Sequence, residues 1–531
     1  MGFGQNTKFR RLKSGPRSGY FPKERNPDLT PRGQQQEALD AIEKWLLSER
    51  WSQLIFRLDG PAGTGKSALI GFLLERLIAL YSEEYLFEAK RDPGQKEWEA
   101  TTSVMLAAPT HKAAREAEGK LHPFGIHKPF ETTARLLKLV ETHCSVTGKQ
   151  EFVQEEPPTW SSQTDLLIVD ENSMINQYQF DRLVDAIKAV NYKREIVGYR
   201  RPARLLLVGD RRQLTPVAEP LNSSFKDEEI SSFELTEVLR HDGSILDLSC
   251  KIRAIPNGVP IFRTVGDGAQ VRTYSNRDKW EWEFLASVKE HYGSNNDRLG
   301  ALSAVQAVAR TRKRVSQLAE QARVALYGIN PPRFVVGELL VSTDAVSEYN
   351  RPGRDGLLAN STVYMTVDKV SEVQLNPKDA LSGVSGLSDW HLFDITCYQL
   401  DVSLAHAVDR QTGKPKKIRF TVVHEQDLDR YKATLAVMQR TIPKYEDKSY
   451  RRQMWREVFY PYKAMNAPVE SALAITVHRS QGSTIKTVFV DYDNIMHTTQ
   501  SGFELNRTAY TAVTRASERL VILDSRSKRS R

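Results

Sequence analysis

The sequence predicts an α/β fold organised on open parallel sheets, with the working residues gathered at the C-terminal ends of the strands. Three observations carry that expectation. Four largely apolar runs, Leu54-Ile55-Phe56-Arg57-Leu58, Val104-Met105-Leu106-Ala107-Ala108, Leu166-Leu167-Ile168-Val169 and Leu205-Leu206-Leu207-Val208, have the near-continuous hydrophobicity of strands covered on both faces. Each run stops at polar residues, the pattern of a sheet whose site lies along one edge. After the first run stands Gly60-Pro61-Ala62-Gly63-Thr64-Gly65-Lys66-Ser67, a complete G-x-x-x-x-G-K-S loop. A helical pattern follows it, with Leu69, Phe72, Leu73, Leu77 and Leu80 on one face.

The glycines of that loop let the backbone wrap a polyphosphate with its N–H groups pointing inward. The positive end of the following helix adds to the attraction. Lys66 is expected to reach the β- and γ-phosphates, and the Ser67 hydroxyl to hold Mg²⁺. Residues 60–67 are therefore read as the loop that binds ATP.

The other strand ends supply complementary chemistry. The third run closes on Asp170-Glu171, two adjacent carboxylates suited to two tasks. Asp170 would sit behind the Mg²⁺, and Glu171 would orient and deprotonate the attacking water. The fourth closes on Gly209-Asp210-Arg211-Arg212-Gln213. Gln213 fits a γ-phosphate sensor, because an amide can donate to a phosphate oxygen and accept from the water. The second leads into Pro109-Thr110-His111.

Taken in chain order, six segments resemble the motifs of superfamily 1 helicases of the RecD/Dda type. They are the loop at 60–67, Ala108-Pro109-Thr110-His111-Lys112, Asp170-Glu171-Asn172-Ser173-Met174, Gly209 through Val217, His478-Arg479-Ser480-Gln481-Gly482-Ser483-Thr484 and Tyr510-Thr511-Ala512-Val513-Thr514-Arg515-Ala516. The resemblance spans most of the chain from Leu29 onward. It implies two RecA-like parallel-sheet motor domains, with a small β-hairpin insert in the first and a β-barrel-like insert in the second. The activity it implies is that of an ATP-dependent DNA helicase translocating 5′ to 3′ on single strands. An ssDNA translocase or nucleoprotein-remodelling ATPase without unwinding is the alternative; an RNA helicase or a nucleic-acid-binding regulator is supported less.

Site residues follow from the same resemblance. Arg240, in Leu235-Thr236-Glu237-Val238-Leu239-Arg240, and Arg515 are the implied arginine fingers, since a planar guanidinium neutralises charge on a transferring phosphoryl. Gly482 joins the nucleotide site. The adenine-reading glutamine falls at Gln34 or Gln35, and the following Ala38 favours Gln35. Phe130 through Leu137 resembles the motif that grips the DNA backbone, with Arg135 where the family usually has histidine. Ala309 through Val315 resembles its counterpart, with Arg312 where asparagine is common. Contacts to DNA are accordingly expected from Pro109, Thr110, His111, Thr133, Thr311, His478 and Thr484, in the manner of sequence-independent phosphate contacts. Glu141 through Val153 reads as a hairpin turning near Thr147-Gly148, at the place of the family's strand-separating pin.

Length and composition agree. A chain of 531 residues can form several domains with large cores. The expected organisation is a basic tail at 1–28 and a first motor domain at 29–225, with its hairpin at about 139–158. The second motor domain takes 226–324 and 467–524, a small β-barrel plus helical region is inserted at 325–466, and a second basic tail lies at 525–531. The formal charge of +9 lies in those two tails, +5 in residues 1–28 and +4 in the last seven, so residues 29–524 sum to zero. That suits a motor with a local basic groove and releasable contacts. Cys144, Cys250 and Cys397 make no metal-ligand or disulfide spacing, and no apolar run reaches membrane-spanning length. The expected partners are single-stranded and forked DNA and proteins of replication, repair or recombination, with no membrane. A monomer is expected, in the cytoplasm of a bacterial or phage-infected cell, with a nuclear setting as the alternative.

Overall fold

The computed structural model describes residues 26, 29–82, 104–126, 128–143, 150–154, 158, 164–199, 201–216, 221–238, 243–255, 257–264, 270–293, 302–348, 357–359, 362–380, 392–408, 414–499 and 501–529. Helix Gln34–Leu47 opens the fold. Its Ala38, Leu39, Ile42, Trp45 and Leu46 recur at helical spacing and are buried against the first sheet. That sheet has six parallel strands in the order Glu131–Thr132, Val104–Ala108, Leu166–Val169, Arg204–Gly209, Ile55–Asp59 and Ser231–Glu234. Leu166–Val169 and Arg204–Gly209 are buried along their whole length, as their unbroken apolar character requires. The Gly60 loop, Pro109-Thr110, Asp170 and Asp210 all leave the sheet at one edge.

One boundary moves. The expected limit of the first motor domain at 225 falls short, because Ser231–Glu234 pairs with the loop-bearing strand, Phe56 opposite Ser231 through Asp59 opposite Glu234. Its residues alternate between half-buried and exposed, as an edge strand's do. The hairpin is present as strands Leu139–His143 and Gln150–Gln154, antiparallel with His143 opposite Gln150. Its turn, 144–149, lies outside the described residues.

A second parallel sheet runs Ala474–Thr476, Val305–Ala309, Ile485–Asp491, Ala516–Leu523 and Val271–Tyr274. Inserted into it is an antiparallel sheet in the order Pro415–Val423, Ile395–Val408, Tyr364–Leu375, Leu339–Ser342 and Val469–Ser471. Register shifts near Val367 and after Ser403 bend its longest strands around a core that includes Phe334, Met365, Leu400 and Phe420. Val469–Ser471 belongs to this sheet, so the insert extends past the expected limit at 466. Helices Glu425–Thr441, Lys448–Met454 and Tyr460–Ala464 lie between its strands Pro415–Val423 and Val469–Ser471. At the C-terminus, residues expected as a free basic tail begin instead with a short helical turn, Ser525–Arg529. Arg526 pairs there with Asp524 at 2.8 Å and lies over the Tyr492 ring. Of the expected tail at 1–28, only Asn26 lies among the described residues.

Candidate active site

The phosphate loop is shaped by what surrounds it. A Cβ on Gly60 would come within 2.9 Å of the Leu235 carbonyl oxygen, so only glycine fits there. Gly63 and Gly65 have φ of 89° and 78°, the left-handed region glycine enters freely. Helix Lys66–Ser82 starts at the loop and turns its N-terminal end toward the cleft. The Lys66 ammonium donates to the carbonyl oxygens of Gly60 and Pro61 at 2.7 and 2.8 Å. The Ser67 hydroxyl donates to Asp170 Oδ2 at 3.3 Å and accepts from Lys120 Nζ at 3.2 Å.

Glu171 follows Asp170 with φ 54° and ψ 42°, an unfavourable conformation for a residue with a Cβ. Its own N–H donates to Asp170 Oδ1 at 2.9 Å, which helps hold it there. Such strain collects where a side chain must be aimed, at a cost of roughly 1–3 kcal/mol. Burial first, and then the Asp170 charge, hold the Glu171 carboxyl above its ordinary range, while Lys66, Arg515 and Lys120 oppose them. A carboxylate made more basic in this way suits abstraction of a proton from water.

Ala62, Gly63, Gly65, Lys66, Ser67, Lys120, Asp170, Glu171 and Gln213 line a cleft from the first domain, with Gly482 and Arg515 facing them from the second. Arg515 is 2 % exposed and locked in place. Its Nε donates to Thr511 O at 2.9 Å and its Nη2 to Thr514 Oγ1 at 2.9 Å. Gln213 accepts a bond from Gln481 Nε2 at 3.4 Å, so two buried amides meet across the cleft. Gln35 lies buried beside the loop, donating to Thr64 O at 3.4 Å and accepting from Arg32 N–H at 3.1 Å. Gln34 instead bonds Thr236 and Glu237 at the surface. Leu29, Pro123 and Phe124 give the cleft an apolar rim. Arg240 lies outside the described residues.

Sequence reasoning missed Lys120, Gln481, Tyr510 and Arg253. Gln481 stands inside a quoted motif and could have been taken with Gly482. Tyr510 likewise opens one of the motifs, whereas Lys120 and Arg253 carried no local signal, since tertiary packing alone brings them into place.

The residues expected on DNA separate into two groups. Thr110 caps helix His111–Leu121 by accepting from Ala113 N–H at 3.1 Å, and half-buried His111 follows it. Burial, then the charges of Arg115 and Arg135, lower the His111 pKa. In the second domain, Thr311 caps helix Arg312–Tyr327 and Asn494 Oδ1 accepts from its N–H at 3.1 Å. His478 lies half-buried after strand Ala474–Thr476, its pKa lowered by burial and by Arg310, with Glu504 opposing. Pro109 is half-buried and Thr484 exposed, each just past a strand or motif turn. Thr133 is the correction. Its side chain is fully buried, with a hydroxyl that has no hydrogen-bond partner, so it faces the core rather than any strand of DNA. The exposed group of that motif is Arg135. Lys112, next to His111, is buried and its ammonium donates to Arg479 O of the second domain at 2.6 Å.

Fold and cleft together define a P-loop motor, with a nucleotide site built between two parallel-sheet domains. A family model described as an AAA domain matches residues 33–261, and one described as a UvrD-like helicase C-terminal domain matches residues 471–523. The ATP-dependent DNA helicase dda of Enterobacteria phage T4 is 25% identical over 440 residues, covering 82% of this chain and 86% of that protein. Protein R530 of Acanthamoeba polyphaga mimivirus is 21% identical over 513 residues, 88% of this chain and 94% of that one. Among solved structures, the Pif1 helicase from Bacteroides in complex with ADP-AlF3 and ssDNA is 15% identical, with 93% of this chain and 92% of that one covered and a TM-score of 0.43. These similarities support a superfamily 1 helicase of the Dda/Pif1 type.

Proposed function

We propose that this chain is an ATP-dependent DNA helicase that moves 5′ to 3′ along a single strand and parts the duplex ahead of it. The composite cleft carries the reading. Lys66, Ser67, Asp170, Glu171 and Gln213 come from one sheet and Gln481, Gly482 and Arg515 from the other, so the full catalytic set exists only when both domains are together. The phage relative, itself an ATP-dependent DNA helicase, supports the same reading.

In the mechanism, the loop amides and Lys66 hold the β- and γ-phosphates, and Gln35 reads the adenine beside the apolar rim. Ser67 and Asp170 offer the hard oxygen donors that Mg²⁺ takes, and they would hold it. Bound there, it would neutralise charge on the phosphate oxygens. Glu171 orients a water and accepts its proton as the water oxygen bonds to the γ-phosphorus and the bond to the β-phosphate oxygen breaks. Gln213 positions the γ-phosphate and the water. Arg515, joined by Arg240, neutralises the charge that spreads over the transferring group. Because Arg515 is already fixed by its neighbours, little reorganisation is needed at the moment of reaction.

Hydrolysis removes the contact that draws the domains together, and the cleft reopens. DNA crosses both domains at the strand ends that bear Pro109, Thr110 and His111 on one side and Thr311, His478 and Thr484 on the other. Alternating grip turns each cycle into a step, and the hairpin at 139–154 divides the strands. On this reading the working form is a monomer on single-stranded and forked DNA, among proteins of replication, repair or recombination inside a cell. Among the described residues no helix is long and apolar enough to cross a membrane. Steady-state ATPase with and without single-stranded DNA or RNA tests the proposal. Stimulation by DNA that Glu171→Gln abolishes supports it; equal turnover with and without nucleic acid would overturn it.

A further inference from the structure

A buried polar chain crosses between the motor domains and ends on the phosphate loop. Tyr510, on helix Gly502–Val513 of the second domain, is 1 % exposed. Its hydroxyl donates to Asp210 Oδ2 at 2.9 Å and accepts from the Ala62 N–H at 3.0 Å. Asp210 is fully buried at the end of strand Arg204–Gly209 in the first domain. Its Oδ1 accepts from Arg253 Nη1 at 2.7 Å and from the Arg212 N–H at 3.0 Å. Arg253 comes from helix Gly243–Ala254, again in the second domain. One carboxylate of the first domain is thus clasped by two side chains of the second, and one of the two also touches the loop.

The polarity of this chain is fixed. Burial alone would raise the Asp210 pKa, but Arg253 and Lys66 and the donors around it hold it below the ordinary range, so it stays ionised. Burial and the Asp210 charge push the Tyr510 phenol upward, so it keeps its proton. That proton is committed to Asp210, which leaves an oxygen lone pair for the Ala62 N–H. The N–H belongs to the peptide plane between Pro61 and Ala62. On the opposite side of that plane, the Pro61 carbonyl accepts from Lys66 Nζ at 2.8 Å and from Thr64 Oγ1 at 3.0 Å. A peptide unit rotates as a rigid plane, so a bond that sets its N–H also sets its carbonyl.

We propose that Tyr510, held by the Arg253–Asp210 pair, is the positioning residue through which closure of the two motor domains sets the phosphate loop and Lys66 for hydrolysis. This rests on the helicase reading above. When the domains part, the tyrosine is carried off, and the Pro61–Ala62 peptide and the lysine it holds are released together. The second domain then acts on the nucleotide in two ways, by the charge of Arg515 and by the shape of the loop.

Tyr510→Phe removes one hydroxyl from a buried ring and is the cleanest test. A contact made only on closure acts on the transition state, so DNA-stimulated kcat should fall about tenfold while KM for ATP moves less than about twofold. A non-hydrolysable ATP analogue should also tighten single-strand binding less in Tyr510→Phe than in the parent, by a similar factor, since coupling is reciprocal. Asp210→Asn should follow Tyr510→Phe, and Arg253→Lys should retain more kcat than Arg253→Ala. A Tyr510→Phe enzyme with parental kcat and parental coupling would overturn the proposal, as would a loss confined to KM. A parent not stimulated by DNA at all would sink the helicase reading, and this inference with it.

Discussion

Arg515 offers the sharpest single perturbation of the cleft. Its guanidinium is anchored by Thr511 O at 2.9 Å, Thr514 Oγ1 at 2.9 Å and Ser483 O at 3.4 Å, and its charge is felt at Glu171. A donor so fixed has lost its freedom before the reaction begins, so its full electrostatic effect falls on the transition state. Arg515→Ala should therefore lower DNA-stimulated kcat by roughly 10³-fold, equivalent to about 4 kcal/mol of barrier. Arg515→Lys keeps the charge but loses the planar fork and its anchors, and should recover about tenfold of that loss at most. Binding of single-stranded DNA without nucleotide should stay within about twofold, because Arg515 lines the interdomain cleft with Lys66 and Glu171 and is not among the residues assigned to the strand. Steady-state ATPase and fluorescence anisotropy on a labelled oligonucleotide measure the two effects, with thermal melting as a check that the buried cation's removal leaves the fold intact. Turnover within about tenfold of the parent, or lost DNA binding with retained ATPase, would refute the reasoning. Arg240→Ala is expected to lose turnover in the same way.

Lys66→Ala and Glu171→Gln should both abolish turnover, but in a nucleotide-binding titration only Lys66→Ala should lose affinity, since Glu171→Gln leaves the phosphate contacts in place. Replacing residues 144–150 by a short Gly/Ser turn should preserve DNA-stimulated ATPase and movement on a single strand while strand separation falls sharply. Melting costs on the order of 1–2 kcal/mol per base-pair step, and a motor without its wedge must wait for fraying. Arg135→Ala should weaken single-strand binding and lower its salt dependence, whereas Thr133→Val, at a wholly buried site, should leave both unchanged in anisotropy titrations at two salt concentrations.

The elements legible in the sequence are those whose physics is local. A buried parallel strand must be apolar throughout, so Leu166–Val169 and Arg204–Gly209 declared themselves, and with them the placement of Asp170-Glu171 and Gln213. The phosphate loop did so because its backbone requires glycine at Gly60, Gly63 and Gly65. Ser231–Glu234 was not legible: it is short, polar and half-exposed, and its place beside Ile55–Asp59 comes from pairing alone. Thr133 misled for a related reason. It sits within a recognisable motif, but the turn that begins at Thr132 rotates Thr133 inward and Arg135 outward, an orientation the motif does not spell. Lys120 ends a helix whose start bears Thr110, and a sequence does not state which distant loop a helix end will reach. The Arg253–Asp210–Tyr510 chain joins three segments spread over 300 positions, and only docking of the two domains brings them within hydrogen-bonding distance.

Strand displacement on duplexes with a single-stranded tail at one end tests the central claim most directly, the claim that a cleft completed by both domains drives directed movement and separation of DNA strands. With ATP and Mg²⁺, the protein should release the labelled strand from a duplex carrying a 5′ tail, and Glu171→Gln should release none. Release that requires a 3′ tail would contradict the polarity, and DNA-stimulated hydrolysis with no release from either duplex would show a translocase rather than a helicase.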